Sequence, residues 1–187
     1  MKGRKGSTDE GGVRSPLFIR WPGKIEAGRN IPMISAAIDL LPTLTDLAGL
    51  DHAPKKTLDG VSLKPLLLQV RPVWPDRMIF SHWNGNVSVR TQGPRLDHQG
   101  MLFEMQNDPG QLENVAGHLV PIGETLLMEV QRWSQEVLAE TPKVDTRPFP
   151  IGHAAARYTQ IPARDAKIHG NIKRSNRFPN SSFLTNW

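Results

Sequence analysis

Lys5-Gly6-Ser7-Thr8-Asp9-Glu10-Gly11-Gly12-Val13-Arg14-Ser15-Pro16 runs directly into Leu17-Phe18-Ile19, and this junction decides how the chain is read. Two adjacent glycines allow the backbone a positive φ and a close approach to another group. Lys5, Glu10 and Arg14 surround them, and Trp21-Pro22-Gly23 ends the apolar run. A charged loop, pinned by glycine and feeding a buried strand, is how α/β enzymes present polar groups at a sheet edge. The same spacing also fits a solvated loop whose Lys and Arg face water.

Outward from that junction, residues 17–20 read as a short strand buried on both sides, which Pro22-Gly23 ends. Asp39 sits at an N-cap position and Pro42 falls in the first turn of a helix, where its missing N–H does no harm. Leu40, Leu41, Leu44, Leu47 and Ala48 make an i, i+3, i+4 apolar stripe that Gly49 stops. Asp39 is read as a cap, not a ligand. Residues 51–60 form a polar loop reaching the turn signal Asp59-Gly60, and residues 62–68 suit a short helical turn. Pro72, Pro75 and Asp76 then break the chain, so a subdomain boundary is expected near residue 72.

Residues 78–83, 87–91 and 101–105 read as strands, and Asn84-Gly85 between the first two is a hairpin signal. Val87, Val89 and Thr91 alternate with Ser88 and Arg90, the period of a half-buried strand. Residues 124–140 place Leu126, Leu127, Val130, Trp133, Val137 and Leu138 along one helical face, ended by Thr141-Pro142. Strands followed by a helix make a small α+β subdomain, an antiparallel sheet with one long helix across a face. After Pro142 the periodicity fades through Arg147-Pro148-Phe149-Pro150, and residues 183–187 read like the opening of another module.

Composition narrows the choices. The 187 residues suit one ordinary domain, or a smaller one with a tail. No run approaches the length of a membrane-spanning helix, so no membrane partner is expected. The absence of Cys excludes disulfides and thiolate metal sites without deciding the compartment. Charge is uneven: residues 1–141 hold 15 Lys and Arg against 16 Asp and Glu, whereas residues 142–187 hold 8 against 2. A nucleic-acid role would have to rest on that tail, above all on residues 167–177, and a solvated basic linker accounts for it as well. Nucleic acid is not expected as a partner.

The opening block, with Trp21-Pro22-Gly23-Lys24-Ile25 behind it, resembles the sulfatase family of the arylsulfatase type. The resemblance continues through Ile38-Asp39-Leu40-Leu41-Pro42-Thr43-Leu44 and Leu47-Ala48-Gly49. It resumes at Leu58-Asp59-Gly60-Val61-Ser62-Leu63, and again at Leu102-Phe103-Glu104-Met105 with Asp108-Pro109-Gly110 and Asn114-Val115-Ala116. What is matched is the carboxy-terminal part of a sulfatase. The resemblance implies an α/β fold, with residues 1–72 as the edge of an alkaline-phosphatase-like α/β domain and residues 73–141 as the small α+β subdomain; residues 142–187, beyond the matched blocks, read as an irregular basic tail.

It also implies a sulfate ester substrate, a formylglycine nucleophile made from Cys or Ser in a Cys/Ser-x-Pro-x-Arg motif, and a calcium ion held mainly by Asp and Asn. Neither that motif nor a metal set occurs in this chain, and the family's Asp-Asn pair would fall before Met1. The chain is therefore expected to be a fragment, inactive alone, of an exported parent enzyme that is periplasmic or extracellular. By resemblance Lys5 contacts the sulfate group, and His98, four residues before Leu102, lines the substrate pocket. His82 is a surface or strand-packing residue, and Glu10 and Arg14 shape the glycine loop through local hydrogen bonds. Two other readings stay open. One is a non-catalytic module whose basic tail captures polyanions. The other is a phosphate-transfer relative, which the Glu-Gly-Gly-Val-Arg and Trp-Pro-Gly blocks disfavour. Residues 1–70, lacking sheet neighbours, are expected to be prone to association.

Overall fold

A computed structural model describes residues 1–50, 57–69, 73–140, 152, 154–155, 157–159, 161, 163–178 and 181–186. The chain forms two compact units, Met1–Thr141 and Pro142–Trp187. The loop start at 51–56, the break at Pro72, the helix stop at Thr141-Pro142 and the run Arg147–Pro150 lie outside the described residues.

The first unit is organised by a four-stranded antiparallel sheet in the order β1-β2-β3-β4. Its strands are β1 (Ile79–Trp83), β2 (Asn86–Arg90), β3 (Pro94–Leu96) and β4 (Leu102–Glu104). Trp83 pairs with Asn86 across a two-residue loop, and Asn84 and Gly85 take φ of 48° and 84°. Positive φ at both central positions is what a type I′ hairpin turn demands, so the Asn-Gly signal is met. β3 was not expected, because Gly93-Pro94 resembles a break. Proline is tolerated at the first residue of a strand, where its missing N–H leaves no ladder bond unmade.

One face of the sheet packs on α4 (Val120–Trp133), which continues as a π-helical turn, Ser134–Leu138. Val89, Leu96, Leu102 and Leu126 form the buried centre, with Phe80, Val115 and Val130 around it. Phe80 and Trp133 stack with ring centroids 5.2 Å apart. The helix therefore starts four residues before the expected Glu124. Leu127 and Val137 face outward instead of joining the buried stripe, and the switch to π-helical winding at residue 134 rotates the later residues off that face.

The other face is not solvated. Ser88, Arg95 and Phe103 are buried, so β2 is covered on both sides and the half-buried expectation fails there. The cover is residues 2–10 of the same chain.

Beside the sheet, α2 (Leu40–Leu47) and α3 (Lys64–Leu68) form a second, smaller core. Leu63, Leu66 and Leu67 pack there with Ile25, Ile31, Leu47 and Trp74. Asp39 is fully buried, but its carboxylate does not cap α2. It turns back to accept from Ala36 N–H at 2.8 Å, from Val61 N–H at 2.9 Å, and from Arg77 Nη1 at 2.9 Å. A buried carboxylate needs a charged partner, which Arg77 on the way into β1 supplies, while the bond from Ala36 N–H caps the 3-10 turn Ala37–Asp39 that leads into α2.

Residues 17–20 differ most from expectation. They form no strand, and Phe18 is 90% exposed. A strand exists only with a ladder partner for its backbone groups, and none of the described residues supplies one. In the second unit, β5 (Lys173–Arg174) pairs with β6 (Leu184–Thr185), a small ordered feature in what was expected to be irregular. Arg174 is spent internally, donating to the carbonyls of Ala163 and Ala166.

Candidate functional site

Residues 4–7 make a turn in which Ser7 N–H donates to Arg4 O at 2.9 Å. Gly6 has φ +87°, the third-position geometry that a type II turn reserves for glycine. Lys5 sits at the second position of this turn, exposed, and no ion pair or hydrogen bond engages its ammonium among the described residues.

The turn is fixed from below. Glu10 opens a short helix, α1 (Glu10–Val13), inside the stretch expected to be loop. Gly11 and Gly12 do not take positive φ. They are needed for close approach: a Cβ on Gly11 would lie 2.7 Å from the carbonyl oxygens of Lys2 and Gly3, and one on Gly12 2.2 Å from that of Ser7. The glycine pair therefore lets the chain fold back against itself under the Lys5 turn.

The helix start is then anchored to the sheet. Glu10 Oε2 accepts from Arg95 Nη1 at 3.0 Å and lies 4.0 Å from Arg90 Nε. Arg95 Nη2 donates to Thr8 O and to Ser88 Oγ, and Ser88 Oγ donates to Thr8 O at 2.7 Å. Arg90 and Arg95 are direct partners on adjacent strands, so like charges face each other, an arrangement that is unfavourable by itself. Glu10 between them offsets it. Burial pushes both guanidinium pKa values below their usual range, and Glu10 opposes the shift in each. Both remain charged at neutral pH, because arginine does not deprotonate in proteins.

Glu10 and Arg14 were expected to bond locally. Their backbones do, since Arg14 N–H donates to Glu10 O at 2.9 Å, but the Glu10 side chain reaches across 85 residues to Arg95, and the Arg14 guanidinium meets Met1 Sδ at 4.0 Å. Arg90 and Arg95 were missed. Alternation read Arg90 as solvent-facing, and no local pattern in a sequence says that a distant segment will cover that face.

The same segment crosses one end of the sheet. Lys2 Nζ meets Asp97 Oδ2 at 2.6 Å and lies 4.8 Å above the Phe103 ring. At the other side of the crossing, a Cβ on Gly6 would lie 3.6 Å from Trp83 Nε1. Asp97 precedes His98 in the β3–β4 turn, and Trp83 ends β1. In this up-and-down order the β1–β2 and β3–β4 turns share one end of the sheet. Lys5, His98 and Trp83 therefore belong to one end. His98 is exposed there. His82 is also exposed, and its Nε2 accepts from Gly85 N–H at 3.1 Å, which stabilises the hairpin turn.

Among the described residues, no three His, Asp or Glu side chains gather as a metal site requires. The donor set does not fit a calcium ion.

Comparison with known proteins gives the arrangement a context. The family profile described as N-sulphoglucosamine sulphohydrolase, C-terminal, matches residues 5–135. Arylsulfatase A of Bos taurus is 33% identical over 159 residues, covering 68% of this chain and 31% of that protein. N-acetylgalactosamine-6-sulfatase of Homo sapiens is 36% identical over 94 residues, covering 50% of this chain and 18% of that protein. The chain thus spans about a third or less of the length of these relatives. A solved structure of a protein in complex with its substrate D-glucosamine-2-N,6-O-disulfate shares the fold, with a TM-score of 0.51 and 23% identity over 66% of this chain and 28% of that one.

Proposed function

The chain belongs to the sulfatase family, matching its carboxy-terminal portion, and from this we propose that it supplies the sulfate-contacting Lys5 to a sulfuric ester hydrolase. The observation that carries the reading is the free ammonium of Lys5 on a turn clamped to the sheet through Glu10 and Arg95. An exposed positive point charge that no carboxylate among the described residues engages suits a sulfate oxygen. As the S–O bond to the alcohol or phenol breaks, negative charge grows on the leaving oxygen and the sulfate oxygens. A preorganised cation lowers the energy of that state more than that of the ground state. His98, at the same sheet end, is the second pocket residue in this reading.

Nucleophile and calcium come from a part of the enzyme that this chain does not contain, so the chain alone turns over no sulfate ester. Two measurements test this together. A chromogenic aryl sulfate with calcium should give no sulfate release from the purified chain. Inorganic sulfate titrated into the 15N-labelled chain should shift the amides of Lys5, Gly6 and Ser7, and Lys5→Ala should abolish the shift. Turnover by the chain alone would defeat the division of labour, and shifts that survive Lys5→Ala would defeat the role of Lys5.

A further inference from the structure

The structure places an aromatic side chain beside the Lys5 turn that no family block contains. Trp83 ends β1 on the face crossed by residues 2–10, and it is 59% exposed. Its Nε1–H meets no acceptor among the described residues. The other tryptophans with a described environment on this sheet and its flank are used in packing: Trp133 stacks on Phe80, and Trp74 packs beside Leu63, Leu66 and Leu67. Trp83 has no such task.

Its neighbour is Gly6, where a Cβ would stand 3.6 Å from Nε1 and 4.0 Å from Cε2. The positive φ of Gly6 strains any other residue there. The turn therefore borders the indole edge with a residue that has no side chain, and Lys5 is one Cα–Cα step of about 3.8 Å from that residue. An exposed cation and an exposed indole whose N–H meets no acceptor among the described residues thus lie on neighbouring segments at this end of the sheet. We propose that Trp83 is a substrate-binding residue, stacking on the ring of a ring-bearing sulfate monoester whose sulfate group is held at Lys5. The inference rests on the reading of Lys5 given above, and it adds the part of the ligand that lies beyond the sulfate. An aryl ring and the apolar face of a pyranose share the chemistry that an indole recognises.

The test uses the whole 15N-labelled chain and three titrants: phenyl sulfate, glucose 6-sulfate and the ringless ethyl sulfate. All three should shift the amides of Lys5 to Ser7. Only a ring-bearing ester should move the Trp83 indole N–H signal, and it should bind about 2- to 10-fold tighter than ethyl sulfate. Trp83→Ala should bring that ratio to about 1, and Trp83→Phe should keep most of it. A gain for phenyl sulfate alone identifies an aryl ester, a gain for glucose 6-sulfate a sugar ester, and a gain for neither overturns the proposal. An unchanged ratio in Trp83→Ala also overturns it. If ethyl sulfate binding instead survives Lys5→Ala, the failure lies with the Lys5 reading, so the two are told apart.

Discussion

Glu10→Gln isolates one charge at the centre of the clamp, because it keeps size and most hydrogen-bonding capacity while removing the carboxylate. At an effective dielectric of 20, a charge pair at 3.0 Å is worth about 5.5 kcal/mol and one at 4.0 Å about 4 kcal/mol, before desolvation. Burying Glu10 and Arg95 consumes much of that gain. Removing one partner of a buried pair still costs about 3–5 kcal/mol, since the other charge stays buried and unpaired. Here the loss should sit at the upper end, because Arg95 is 1% exposed and faces Arg90 directly. Set against a typical total of about 5–15 kcal/mol, the variant should be close to unfolding. Urea unfolding at neutral pH, followed by far-UV circular dichroism at low micromolar concentration, reads the change. Adding Arg95→Leu to Glu10→Gln should then cost less than the two single changes summed, because the second change removes the stranded cation. A loss below about 1 kcal/mol for Glu10→Gln, or strict additivity in the cycle, would refute the electrostatic account of the clamp.

Gly12→Ala tests the other half of the same construction. Its Cβ would fall 2.2 Å from Ser7 O and 2.7 Å from Arg4 O, so amide exchange across residues 4–14 should rise at least 10-fold while exchange in α4 stays unchanged, the signature of a local opening; equal exchange in both proteins would contradict the close-approach reading. Asp108 accepts from Leu112 N–H at 2.7 Å and Glu113 N–H at 2.9 Å, and these bonds hold its carboxyl below the usual value of 3.8. The folded pKa is thus depressed, so the stabilisation is present above the unfolded value and is lost as pH falls through the lower folded value. Asp108→Asn should flatten the fall in urea midpoint between pH 5 and pH 3, and an unchanged slope would show that Asp108 does not contribute to it.

Much of the fold was legible where the signal is local. Asn84-Gly85 fixed the first hairpin because only residues tolerant of positive φ fit both central positions. The run of residues 40–48 reported a helix, but its stripe did not report the buried face: Leu40, Leu41 and Leu44 are exposed and Thr43 is buried instead. What failed to show was whatever depends on a distant segment. Arg90 and Ser88 look solvent-facing by alternation, yet residues 2–10 cover them. Residues 17–20 carry the apolar content of a buried strand but find no ladder partner among the described residues. Asp39 carries a cap signature and does cap the 3-10 turn before α2, but its carboxylate also pairs with Arg77, 38 positions away, which no local pattern announces. For the site, the family-like block pointed to Lys5, while nothing local pointed to Trp83. Its closeness to Gly6 arises only when the hairpin tip and the opening segment meet.

The clamp also orders events in time. Thr8 and Glu10 are bound by groups 80 to 87 positions later in the chain. A ribosome extending the chain at roughly 5–20 residues per second releases the opening segment several seconds before its docking surface exists. The piece synthesised early must wait, unpaired, until β2 and β3 have closed. Closing so long a loop gains no compensating contact until the sheet is formed. The Lys5 turn is therefore among the last parts of the first unit to settle, and the candidate site at that end of the sheet is assembled only after the scaffold beneath it is complete.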